Sequence, residues 1–178
     1  INSSSQRREM RQILEMVKVE IKTNQHIINY ISDYLDEERK AIKVFEDHYR
    51  SLSDMPVDTL VENMNVLLKN SVFDISTNAM EVLQSSGTIK NINDKELVLK
   101  LFDVYSQMEY ITTNVSAYYL RKREIILNWS YSVDEELMSG DSPYEYVESF
   151  FANNPTRNFI MYAEGNLRGF PAQTADLR

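Results

Sequence analysis

Few residues in this chain are of a type that does chemistry. Cysteine is absent and His26 and His48 are the only histidines, which excludes a catalytic thiol, a disulfide and a thiolate zinc site. The two histidines are 22 residues apart on one expected helix, so about 33 Å of helix axis separates them and they cannot share a metal. Neither belongs to the Glu-x-x-His pair that builds di-iron sites in bundles, because Thr23 and Phe45 occupy the positions three residues earlier. Acidic groups cluster at Asp33, Asp36, Glu37 and Glu38 and again at Asp134, Glu135 and Glu136. Calcium or magnesium needs oxygens converging from a tight loop, and no Asp-rich loop with a central glycine is present. The clusters read as solvated helix faces. A Gly-rich phosphate loop, a nucleophile elbow and a Ser-His-Asp order are also missing. No catalytic, cofactor-binding or metal-ligating residue is assigned, and no cofactor is expected.

Recognition is a different matter. Eleven tyrosines are a high count, and Tyr offers a large contact area with a polar end. The ordinary reading is an amphipathic core lining; the sharper one is a ligand or partner surface at Tyr105, Tyr118, Tyr119 and Trp129. Arg7, Arg8 and Arg11 form one basic cluster and Arg121, Lys122 and Arg123 another. Overall, 19 Lys plus Arg against 27 Asp plus Glu give a net charge of −8 and an isoelectric point near 4.8. That balance excludes a dedicated nucleic-acid binder, which needs a surplus of cations to neutralise phosphate.

The elements that position these residues read as helices. With 178 residues, 43% of them hydrophobic, the chain suits a single domain, expected over 1–165, with 166–178 as a flexible tail. The first Gly or Pro is Pro56, which leaves residues 4–51 as one helix of roughly 70 Å. Steps of four and three residues from Met10 run through Leu14, Val17, Ile21, Asn24, Ile28, Ile31, Leu35, Glu38, Ile42, Phe45 and Tyr49, the repeat of a helix packed at a shallow angle in a bundle. A second long helix is expected over 94–139, capped by Asn93 with Glu96 returning the bond and stopped at Gly140. Its seam is Leu97, Leu101, Val104, Met108, Ile111, Val115, Tyr118, Lys122, Ile125 and Trp129. The polar seam residues Asn24, Glu38 and Lys122 either pair inside the bundle or mark points where the seam frays.

Shorter helices fill the rest. Pro56 fits a first helical position for a helix to about Asn70, and Thr77 to Ser86 ends at Gly87 in a left-handed cap. The run from Ser71 to Ile75 reads as an extended connection. Ser142 and Pro143 cap and open a helix to about Asn153, and Pro155 opens another. The expected fold is all-α: an elongated bundle built on two long antiparallel helices with additional short ones.

The segment from Phe73 to Gly87, ending Leu83-Gln84-Ser85-Ser86-Gly87, followed by Ile89, Ile92 and Asn93-Asp94-Lys95-Glu96-Leu97, resembles the middle of a widespread Bacteroidota family of unknown function. In that family an N-terminal transmembrane helix exits through a Leu-Gln-Ile-Asn run into charged residues and a long helix. Ile1-Asn2 followed by Arg7, Arg8, Glu9 and Arg11 is similar to that exit, although Ser3-Ser4-Ser5 stands where the family carries a Trp-Asn-Glu cluster. Over residues 1–130 the resemblance implies the soluble part of a membrane-anchored protein and supplies no activity.

No window within the chain approaches the 18 apolar residues of a span, so the membrane helix would precede Ile1. Arg7, Arg8 and Arg11 would then lie beside lipid headgroups. The family's own basic head competes for the cytoplasmic side, which favours an extracytoplasmic, periplasmic domain over a cytoplasmic one. The sequence thus points to a membrane-tethered binding, scaffold or sensor-like module without catalysis of its own, with a protein partner or a second copy as its target. The rival is a small-ligand-binding bundle or helical enzyme with a Tyr-lined pocket.

Overall fold

A computed structural model describes residues 3–134 and 142–167, with side chains given for all of these except 3 and 164–166. Six α-helices and no strand are found among the described residues: α1 (Ser3–His48), α2 (Val57–Leu68), α3 (Asn78–Ser85), α4 (Lys95–Ser132), α5 (Pro143–Ala152) and α6 (Asn154–Leu167). Two short 3-10 turns, Leu52–Asp54 and Thr88–Asn91, link them. The fold is an all-α elongated bundle. No described helix is long and apolar enough to cross a membrane.

The long helices run parallel, which corrects the antiparallel expectation. Glu20 meets Tyr105, and 18 residues further along α1 Glu38 meets Tyr118, Tyr119 and Lys122. The chain between α1 and α4 makes a complete return leg. As it advances, Lys69 pairs with Glu37, Phe73 packs on Tyr34, Ser76 bonds Asn24 and Ala79 bonds Glu20. With α2, an extended stretch and α3 together spanning the bundle downward, α4 must start again at the bottom. From the top, where Phe151 packs on Phe45, α6 descends and lays Phe159 on Tyr118. The order is up, down, up, down.

Local signals set most boundaries. Gly87 takes φ +70°, the left-handed conformation that ends α3. Asp94, one residue after the expected cap Asn93, accepts the Leu97 N–H at 2.9 Å and starts α4. Pro56 precedes α2 as its cap residue rather than its first turn. Ser142 caps α5 with Pro143 following, as the pattern requires. α4 ends at Ser132, where Val133 is extended, short of the expected 139; Glu135, Glu136 and Gly140 lie outside the described residues. α6 runs through Gly165 to Leu167, which is buried; residues 168–178 lie outside the described residues.

The core divides in two. The larger part gathers Ile28, Ile31, Leu35, Ile42 and Phe45 with Leu60, Leu67, Val115, Tyr119, Trp129, Phe150 and Ile160; the smaller gathers Ile13 and Val17 with Ala79, Met80, Leu83 and Tyr105. Each such aliphatic side chain contributes roughly 1.5–3 kcal/mol by leaving water. Between the two parts, on α1, stand Glu20 and Asn24, both buried and polar. The buried line along lower α1 is Ile13, Val17, Glu20 and Asn24, and the expected seam residues Met10, Leu14 and Ile21 flank it half-buried.

Candidate functional site

Two carboxylates organise the interior. Glu20 projects from α1 at the start of α3, a helix whose own cap residue, Thr77, makes no side-chain cap bond. Its oxygens accept the backbone N–H groups of Ala79 (2.9 Å) and Met80 (3.3 Å), the Ser76 hydroxyl (2.6 Å) and the Tyr105 hydroxyl (2.6 Å). The orphan amides of a helix start are thereby satisfied by a residue some sixty positions away. Burial pushes the Glu20 carboxyl up, but the Ala79 N–H, the two hydroxyls and the Met80 N–H outweigh it and hold the group below the usual carboxylate range. One turn on, Asn24 both donates to the Ser76 carbonyl (2.7 Å) and accepts from its N–H (3.0 Å).

Five helical turns above Glu20, Glu38 accepts the Tyr118 hydroxyl (2.8 Å), the Tyr119 hydroxyl (2.6 Å) and the Lys122 ammonium (2.8 Å). Lys122 and Glu38 are 0% and 1% exposed, so no substrate reaches them. Lys122 also lies 5.0 Å above the Tyr119 ring, a cation–π contact that helps replace lost hydration. Burial pulls the Lys122 ammonium below its ordinary value, partly offset by Glu38. Burial and the facing carboxylate drive both tyrosine hydroxyls well above theirs, and Tyr34 is pushed up to about 12. Every oxygen and nitrogen named here is occupied by another. The arrangement holds register; it does not present a reactive group.

The four aromatic residues read as a ligand or partner surface are turned into the interior. Tyr105 serves Glu20, Tyr118 and Tyr119 serve Glu38, and Trp129 packs on Tyr146 and Phe150 with its Nε1 unbonded. All four are buried. Only the flank of Tyr118 reaches an open groove of about 1130 Å³ between α4 and α6, lined also by Tyr110, Asn114, Ala117, Arg121, Asn158 and Tyr162. A shallower hollow of about 450 Å³ lies between α1 and the extended stretch, beside His26 and Tyr30. His48 is tied through Nδ1 to the Val44 carbonyl at 2.9 Å. Arg7, Arg8 and Arg11 are exposed on the first turns of α1. Among the described residues no cluster of three or more His, Asp or Glu is placed to hold a metal.

Among the described residues an accessible apolar stripe runs along the outer face of α4. Leu99, Phe102, Tyr110, Leu120, Leu127 and Tyr131 are all exposed, Leu99 at 69% and Tyr131 at 82%. Sequence reading passed over this stripe because it follows the seam that faces inward, and α4 carries apolar residues at both. It also passed over Glu20, although 18 residues are five turns of a 3.6-residue helix and place Glu20 in phase with Glu38.

No family model, curated protein or solved structure matches the chain.

Proposed function

We propose that the chain is a non-catalytic binding or scaffold module whose working surface is the outer face of α4 together with the groove between α4 and α6. The carrying observation is the division of its polar and apolar groups. The Glu20 network and the Glu38–Lys122 pair are shut inside and bonded to their neighbours, whereas six large apolar side chains stand in solvent along one helix. An exposed stripe of that kind marks an interaction surface. Membrane tethering ahead of α1 is part of the proposal, supported by the exposed Arg7, Arg8 and Arg11 and by the family resemblance of the central segment, with the domain on the extracytoplasmic side.

The test is photo-crosslinking in intact cells. A crosslinker at Ala117 or Tyr162 should give discrete adducts that one at exposed Val19 does not; no adduct, or equal labelling at both, overturns the reading. Fractionation with protease digestion from outside the inner membrane checks the tether: a freely soluble product removes it. A small-ligand reading is favoured by one observation, the amides of Asn114 and Asn158 and the guanidinium of Arg121 lining the same groove. It predicts a thermal shift of several degrees with a metabolite, since binding stabilises the native state by mass action.

A further inference from the structure

We propose that the outer face of α4 is a self-association face, and that it pairs with α4 of a second copy in an antiparallel, two-fold arrangement. The inference rests on the binding-module reading and names its partner. Stepping by threes and fours from Leu99 to Tyr131 keeps to an arc of about 100° on the helix, the width of a packing seam. This run has the same order from either end. Positions equidistant from residue 115 match in kind: Leu99 with Tyr131, Tyr110 with Leu120, and the small Thr113 with Ala117; Phe102 and Leu127 match to within one residue. Large side chains stand at both ends, and small ones at the centre let the helices approach.

A two-fold interface requires that the same patch be complementary to itself under reversal. Charge agrees. Glu109 and Arg123 are both exposed on one flank of the stripe, and the reversal brings Glu109 of one copy beside Arg123 of the other, twice per dimer. The polar seam residue Glu124 then faces Ser106. A parallel pair would instead set Glu124 against Glu124 and leave Glu109 without an opposite charge. The seam is about 48 Å long and about 10 Å wide, so the pair buries on the order of 1,000 Å², the lower end of specific interfaces and suited to reversible association. Because α1 runs parallel to α4, the two arginine clusters fall at opposite ends of the dimer, and tethered copies would join two facing surfaces.

Sedimentation of the whole chain over a range reaching about 100 µM, ample for an interface of this size, should show a concentration-dependent dimer. Leu120→Asp should abolish it with the helical circular dichroism unchanged. Glu109→Arg and Arg123→Glu should each weaken it, and the double reversal should restore it. The chain has no cysteine, so a single spin label at Lys100→Cys reports geometry: about 45 Å between labels for the antiparallel pair, from 1.5 Å per residue. A monomer throughout, a dimer indifferent to Leu120→Asp, or labels within about 20 Å would each overturn the proposal. A monomeric chain that still gives adducts at Ala117 would sink the dimer and leave the binding module standing; absence of both would sink both.

Discussion

Glu38 and Lys122 meet across the middle of the bundle with 2.8 Å between Oε1 and Nζ, and neither side chain touches solvent. They come from the two long helices, and their pairing fixes the axial register of α4 against α1. Charges buried this completely hold the fold only as a set, because removing one leaves the other without water or counter-ion.

Lys122→Met should therefore cost about 3–5 kcal/mol, the penalty of an orphaned buried carboxylate. Glu38→Gln added to it should recover part of that loss, with a coupling of roughly 1–3 kcal/mol, since Gln still offers the two tyrosine hydroxyls an acceptor. Urea unfolding of the two singles and the double measures this; strict additivity would show that the pair does not act as a unit.

Acid should weaken the bundle through Glu20. Its carboxyl is held below the usual range in the folded state, so its contribution is complete above the unfolded value of about 4.3 and is lost as pH falls through the folded value. Glu20→Gln should cost about 1–3 kcal/mol at neutral pH. Thermal melts should show the gap between wild type and variant closing below about pH 4, near that reference value. A gap of constant size down to pH 3 would mean that the ionised form is not what caps α3.

Alkali acts from the other side. Tyr34, Tyr105, Tyr118 and Tyr119 are all raised by burial and by facing carboxylates or, for Tyr105, its bond to Glu20. In the unfolded chain they lose protons near pH 10 while the native state keeps them, so stability falls as pH rises past about 10. Ultraviolet titration should find these four ionising together with the loss of helical signal. Eleven tyrosines ionising while the helices stay intact would refute the buried hydroxyl networks.

Gly87→Ala isolates a backbone effect. A Cβ at Gly87 meets nothing within 4 Å, so only the positive φ resists the substitution, at about 1–2 kcal/mol. A thermal shift of a few degrees is expected, and a neutral result would show that the turn relaxes freely.

By itself the sequence determined the elements. Pro56, Gly87, Ser142 and Pro143 punctuate the chain through backbone sterics and capping, which are local and need no partner. The repeat through Ile28, Ile31, Leu35, Ile42 and Phe45 announced a long buried helix because an apolar stripe with helical spacing has one low-energy use. Glu38 and Lys122 stood out as polar interruptions of two seams. Tertiary structure decided what those interruptions meant and which way the helices ran. A seam's period carries no sign, so nothing in α1 or α4 says whether they are parallel; the return leg through residues 69–77, extended and without a period, settled it. The burial of Tyr105, Tyr118, Tyr119 and Trp129 and the exposure of Leu99 and Tyr131 were decided in the same way. A helix apolar on two sides can bury either one, and the choice belongs to the neighbours that arrive.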